Sequence, residues 1–152
     1  MKIFIATDHR GYRLKEKIKK WLVDWHYEYE DFGAHQLNSE DDYPDFISQV
    51  AQAVSKSPQN SKGIILGGSG QGEAMLANKY QGIRAAVYYG GSPDIITLSR
   101  EHNNANVLSL GASFLNEKNA KKAVKLWLET KFSQDVRHVR RLNKITKIEE
   151  EL

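Results

Sequence analysis

Gly63-Ile64-Ile65-Leu66-Gly67-Gly68-Ser69-Gly70-Gln71-Gly72-Glu73 decides the fold: an apolar strand runs into a glycine-rich turn, then into a helix that opens on a carboxylate. Glycines at 67, 68, 70 and 72 let the backbone turn tightly and aim several N–H groups at one spot. The helix N-terminus reinforces this nest for negative charge. Glu73 sits at its edge. A carboxylate beside an anion hole can remove a carbon-bound proton while the hole stabilises the oxyanion that forms. Two nucleotide readings fail on spacing. A P-loop needs Gly-Lys-Ser/Thr where the chain has Gly72-Glu73-Ala74. The dinucleotide fingerprint starting at Gly68-Ser69-Gly70 needs a glycine at position 73, and it belongs after a first strand. A purely structural tight turn remains the plainer alternative.

Outward from this junction, short β-rich runs alternate with amphipathic helical stretches, the α/β pattern. Lys2 to Ala6 reads as a buried strand, Arg13 to Trp25 as a helix with Leu14, Ile18, Trp21, Leu22 and Trp25 on one face, and Tyr27 to Phe32 as strand two. Pro44 begins a helix with Ile47, Val50, Ala51 and Val54 aligned, and Gly63 to Leu66 is strand three. Ile83 to Tyr88 is strand four, Ser92-Pro93 opens a helix to about Glu101, and Val107 to Leu110 is strand five. Two helices follow, one with Ala120, Ala123, Val124, Trp127 and Leu128 aligned, the other from about Gln134 with Leu142, Ile145 and Ile148 aligned. Crossover helices between buried strands predict a parallel, doubly wound sheet with ligands beyond the strands' carboxyl ends. Asp8 and His9, Ser69 to Glu73, and Gly111 to Ser113 should therefore share one rim.

The chain of 152 residues is expected to be a single domain, residues 1–152, large enough for one core. It has no cysteine, which excludes disulfides, thiolate metal sites and thiol catalysis, and suits a reducing compartment. Asp8 and His9 interrupt the apolar N-terminus too soon for a signal peptide, and no run reaches membrane-spanning length. A soluble, cytoplasmic protein is expected. A net charge of +3 spread along the chain is a poor argument for nucleic acid. His26 and His35 have no companions at metal-ligand spacing, so no metal is expected.

In order along the chain stand Thr7-Asp8-His9-Arg10-Gly11, Asp42-Tyr43-Pro44, the Gly67–Glu73 loop, Ala77-Asn78-Lys79, Gly82-Ile83-Arg84-Ala85, Ser99 to Val107 (SREHNNANV) and Arg137-His138-Val139-Arg140-Arg141. Carrying these motifs, the chain resembles type B ribose-5-phosphate isomerases and the wider family of galactose-6-phosphate and other sugar-phosphate isomerases. The resemblance implies a Rossmann-like doubly wound five-stranded parallel sheet in three αβα layers with a C-terminal helix. It implies no metal or other cofactor, and a homodimer or dimer of dimers whose sites draw on two chains. One branch of the family takes its base from a cysteine at the position of Gly67; the other uses a glutamate at the position of Glu73. This chain resembles the second branch.

On that resemblance Glu73 moves a proton between C1 and C2 of an open-chain sugar phosphate through a cis-enediol. Ser69 passes a proton between O1 and O2, and the loop glycines Gly68, Gly70 and Gly72 help bind substrate, the N–H groups of Gly70 to Gly72 holding the enediolate oxygen. His102 opens the furanose ring, and Asn103, Asp8 and Tyr43 orient hydroxyls. Arg137 and Arg141, four apart on a helix, grip the phosphate with His9. Plainer readings stand beside these: a capping carboxylate for Glu73, a turn hydroxyl for Ser69, a cation at a helix C-terminus for His102, helix termination for Asn103, a loop cap for Asp8, a half-buried aromatic for Tyr43, and a solvated basic face for the arginines. One departure matters. Many relatives carry a further phosphate-binding arginine where this chain has Ser113; either Arg10 supplies that charge from another loop, or the substrate differs in length or phosphate placement.

Ribose 5-phosphate and ribulose 5-phosphate are the expected pair. A six-carbon sugar phosphate such as galactose or allose 6-phosphate, or a four-carbon one, is the runner-up. A non-catalytic sugar-phosphate-binding partner subunit is the alternative from another class. Nucleic-acid binding through Arg137 to Lys147 lacks any recognition motif.

Overall fold

The computed structural model describes residues 1–152. Five parallel strands, β1 (Lys2–Thr7), β2 (Glu28–Asp31), β3 (Ser61–Gly67), β4 (Ala85–Tyr88) and β5 (Val107–Gly111), lie in the order β2-β1-β3-β5-β4. The helices are α1 (Tyr12–Asp24), α2 (Tyr43–Lys56), α3 (Gln71–Ala77), α4 (Asp94–Glu101), α5 (Glu117–Glu129) and α6 (Val136–Glu151). The doubly wound α/β architecture is as expected. Every residue of the central strands β3 and β5 is buried, which is why both read as continuous apolar runs rather than alternating ones.

Strand alternation separates two cores. Ile3, Ile5, Ile64, Leu66, Leu108 and Leu110 face α1, α4 and α5, where Ile18, Trp21, Leu22, Ile96, Val124 and Trp127 meet them. Ala6, Ile65 and Val107 face the other way, onto Ile47, Val50, Ala51 and Val54 of α2 and Ala77 of α3. Each methylene buried in such a layer contributes about 0.8 kcal/mol.

Among the boundaries that differ from the sequence expectation, three are set by side-chain hydrogen bonds. β4 begins at Ala85 rather than Ile83 because the Arg84 N–H bonds to Asn106 Oδ1 and the Asn78 side chain takes both backbone groups of Ala85. α4 begins at Asp94, with Ser92 Oγ accepting the Asp94 N–H ahead of it. α6 begins at Val136, capped by Asp135, which accepts the Arg137 N–H. On α6 the aligned apolar face does not enter the core: Ile145 is 47% exposed and Ile148 58%, and His138 is the helix's one buried residue. No helix is long and apolar enough to cross a membrane.

At the sheet edge Lys15 is fully buried and gives its ammonium to both oxygens of Asp31, at 2.6 and 2.8 Å, and to the Ala34 carbonyl at 2.7 Å. Burial alone would raise the Asp31 pKa, but the bonds from Lys15, Lys19 and the Gly33 N–H outweigh it and hold the carboxyl below its ordinary value. Because the folded value is the lower one, this pair's stabilisation is present above the unfolded carboxylate range and lost as pH falls through the folded pKa. Asp31→Asn should cost about 3–5 kcal/mol at neutral pH by removing the nearest counter-charge of the buried Lys15, whose other carboxylate, Glu16, stands 3.7 Å away. Denaturant titrations should show the gap from the parent narrowing below about pH 4. An equal gap at both pH values would mean the ion pair contributes nothing.

Candidate active site

The glycine-rich loop leaves β3 at its carboxyl end and is wedged against β5. Ser109 Oγ donates to the Gly70 carbonyl at 2.6 Å, and the N–H groups of Ala112 and Ser113 donate to the carbonyls of Gly67 and Gly68. Gly70 caps α3 with φ of 77°, in the left-handed region. A Cβ there would stand 2.9 Å from the Leu110 carbonyl carbon, so both the angle and the space require glycine. The amides of Gly70 and Gly72 make no hydrogen bond within the chain, while the Gln71 N–H reaches Ser69 Oγ at 3.3 Å. Ser69 thus shows the turn bond of its plainer reading. That bond leaves its hydroxyl hydrogen free to donate.

Glu73 is 4% exposed, and its carboxylate folds back over Gly67. A Cβ on Gly67 would overlap that carboxylate, whose farther oxygen lies 2.7 Å from the Cβ position. A side chain at position 67 and the Glu73 carboxylate therefore compete for one volume. Burial raises the Glu73 pKa, its own backbone N–H offsets part of this, and the charge of Asp8 adds to the rise. Asp8, itself 7% exposed, is raised by burial against the opposing Arg10 N–H bond at 2.9 Å. Two carboxyls held above their ordinary range suit proton transfer nearer neutral pH than a solvated carboxylate allows. The Tyr43 ring covers Gly72, with its hydroxyl oxygen 2.9 Å from where a Cβ would stand.

His9 follows Asp8 on the same rim. Its backbone N–H and its Nδ1 both bond Asp41 Oδ1, at 2.9 and 2.6 Å. The ligating atoms of Asp8, His9 and Asp41 lie within 4.8 Å of one another. The sequence reading missed Asp41, since no local spacing signals a partner 32 residues from His9. At 2.6 Å the ring and the carboxylate share a proton. Two donors about 2.0–2.2 Å from a metal ion would stand roughly 3 Å or more apart. The Arg10 side chain and Ser113 both flank Gly68: Arg10 Cγ lies 3.7 Å and Ser113 Oγ 3.6 Å from the Cβ position there.

His102 and Asn103 occupy the opposite rim. They end α4, at the amino end of β5, whereas Ser69 and Glu73 follow the carboxyl end of β3. The five residues of β5 that separate the rims span roughly 15 Å. The Arg84 Nε donates to the carbonyls of Asn103 and Asn104 at 3.1 Å each, and Arg100 donates to Asn104 Oδ1 and the Ala105 carbonyl, fixing this turn. His138 stacks on His102 with ring centroids 4.1 Å apart, and burial, then the neighbouring His102, push its pKa down. Arg137 pairs with Asp135 and is exposed, as is Arg141. Of the expected site residues, one chain thus gathers Asp8, His9, Arg10, Tyr43, the loop glycines, Ser69 and Glu73 on one rim. Its His102, Asn103, Arg137 and Arg141 lie away from them.

A family model for ribose/galactose isomerases matches residues 3–145. The chain belongs to that family. A probable ribose-5-phosphate isomerase B of Mycoplasma genitalium is 39% identical over 98% of this chain and 96% of its own length. The ribose-5-phosphate isomerase B of Mycobacterium tuberculosis is 36% identical over 98% of this chain and 90% of its own length. The crystal structure of the M. genitalium isomerase with bound ribulose-5-phosphate superposes with a TM-score of 0.95 at 38% identity, covering 99% of this chain and 97% of that one. That of Clostridium thermocellum gives 0.92 at 42% identity, covering 99% of both chains. Within this family of isomerases the Gly67–Glu73 packing offers a direct test. Gly67→Ala should leave the fold intact by circular dichroism but displace the Glu73 carboxylate and lower kcat by about a hundredfold, the scale of a misplacement near 1 Å. Unchanged turnover would show that the seat over Gly67 is irrelevant to the chemistry.

Proposed function

We propose that this protein is a metal-independent aldose-ketose isomerase that interconverts ribose 5-phosphate and ribulose 5-phosphate through a cis-enediol. The single observation that carries the mechanism is the buried Glu73 carboxylate, seated over Gly67 beside unpaired loop amides and raised in pKa by burial and by Asp8. The choice of sugar rests on the isomerase relatives, one of them crystallised with ribulose-5-phosphate.

With the open-chain aldose bound, Glu73 takes the C2 proton, the electron pair forms the C1–C2 double bond, and negative charge moves to O1. The amides of Gly70 and Gly72 receive that charge. Losing one such donor typically costs about 10²–10³ in rate. Ser69 Oγ carries the proton from O2 to O1, and Glu73 returns its proton to C1 to give the ketose. Asp8 and Tyr43 orient sugar hydroxyls. At the phosphate end stand His9 and Arg10, whose stem flanks Gly68 as Ser113 does; this placement favours Arg10 as the source of the charge that Ser113 lacks.

His102 would open the furanose ring, Asn103 would bind hydroxyls and Arg137 and Arg141 would grip the phosphate, all from a second copy of the chain. The opposite-rim placement supports this sharing, as does the apolar surface each chain leaves uncovered: Met75 (65% exposed) and Phe114 (67%), with Ile145 and Ile148 on α6. A homodimer is the smallest assembly that meets the need.

A panel of five- and six-carbon aldose phosphates should give ketose fastest from ribose 5-phosphate, with chelator present. A faster six-carbon substrate would overturn the choice of sugar, and loss of activity restored by a divalent ion would overturn the metal-free chemistry. Sharing has its own test. Glu73→Gln and Arg141→Ala proteins, each nearly inactive, should regain activity when dissociated together and reassembled, because half the sites in a mixed dimer then carry neither change. Mixed dimers verified by mass yet no better than either parent would place Glu73 and Arg141 in the same chain's site.

A further inference from the structure

On the carboxyl rim the Asp41 side chain makes contacts that serve neither its own loop nor the neighbouring helix. The loop before it is held by Asn38, which accepts the Glu40 N–H on its side chain and the Asp41 N–H on its carbonyl. The N-cap position of α2 lies one residue later, at Asp42. Asp41 Oδ1 instead crosses to the end of β1 and accepts two hydrogens from one residue, the backbone N–H of His9 at 2.9 Å and its Nδ1–H at 2.6 Å. The side chain of Asp41 is 8% exposed, and its other oxygen, Oδ2, is buried without a partner. Burying a carboxylate with an unpartnered oxygen is costly. A loop brace would not require it.

We propose that Asp41 is a positioning residue that aims the His9 ring at the phosphate end of the substrate. Two bonds converging on one oxygen lock both the backbone and the ring of His9, and they fix which nitrogen bears hydrogen. Nδ1–H is committed to Asp41, so Nε2, which makes no bond within the chain, is what the ring offers a ligand; a phosphate oxygen needs a hydrogen there, so His9 meets it as the imidazolium, donating Nε2–H outward while the Asp41 carboxylate balances the ring's charge. The His9 side chain remains 25% exposed, open to that ligand. Removing such a partner loosens the ring and frees the tautomer, as loss of an orienting carboxylate does in other histidine sites. The proposal rests on the reading of His9 as a ligand for the substrate phosphate.

A double-mutant cycle separates the two ideas. Asp41→Ala should raise KM for ribose 5-phosphate about tenfold, the scale of one charge-assisted hydrogen bond, and change kcat little. His9→Asn should do the same, and the double variant should be no worse than His9→Asn alone. Asp41→Asn, whose amide oxygen can accept both bonds, should fall between parent and Asp41→Ala, and it carries the cycle should the alanine variant fail to fold. Nitrogen-15 spectra should show His9 protonated at Nδ1 in the parent and released from that tautomer in Asp41→Ala. A KM rise from Asp41→Ala that persists undiminished in the His9→Asn background, or an unaltered His9 tautomer, would overturn the positioning role alone. A normal KM in His9→Asn would overturn the phosphate reading of His9 and the proposal with it.

Discussion

Everything at the candidate site depends on the missing side chain at Gly67. Because that position carries only hydrogen, the Glu73 carboxylate can fold back from α3 and bury itself over the loop, where burial first and then the charge of Asp8 raise its pKa. The same economy of space recurs around it. A Cβ on Gly111 would stand 2.6 Å from the Ser69 carbonyl oxygen, and one on Gly72 would press into Tyr43. The loop is thus packed rather than mobile, which an anion hole requires, since donors that must reorganise during reaction lose most of their benefit. The packing also gives a steric reason for the two-branch pattern within the family: a cysteine at position 67 would fill the volume that the glutamate carboxylate uses.

A doubly wound sheet imposes the second constraint. Helices that follow strands run back toward the opposite rim, so groups at a strand's carboxyl end and groups at a helix's carboxyl end are separated by the height of the sheet. His102, at the end of α4, cannot be carried to Ser69 by any small motion of its own chain. The fold can still use both groups by pairing rims between copies. Arg84 and Arg100, spent on the carbonyls around Asn103 to Ala105, hold the second rim's turn as firmly as Ser109 holds the first.

Legibility from sequence divided along local and non-local lines. β1, β3 and β5 were readable because they are continuous apolar runs, and the helical faces of α1, α2 and α5 because their spacing is amphipathic. The start of β4 was not, since it is set by the side chains of Asn78 and of Asn106, the latter 22 residues from its partner Arg84. α6 has a periodic apolar face that sequence assigns to burial, yet its outer residues stand exposed, because periodicity reports that a face wants cover without saying what covers it. Within the site, Ser69 and Glu73 were marked by the glycine turn itself. The shared rim of Arg10 and Ser113 followed from the sheet topology, whereas the Gly67 seat and the Asp41 partner of His9 arise only when distant groups converge, and no residue spacing encodes them.

The central claim is that the buried Glu73 carboxylate is the base at C2. Its most direct measurement is the wash-out of deuterium from [2-²H]ribose 5-phosphate into solvent, followed by proton NMR and compared between the parent and Glu73→Gln with sugar-phosphate binding checked by calorimetry. The account predicts that Glu73→Gln still binds the sugar phosphate but releases no deuterium above background. Release at the parent rate from the Gln variant would contradict it.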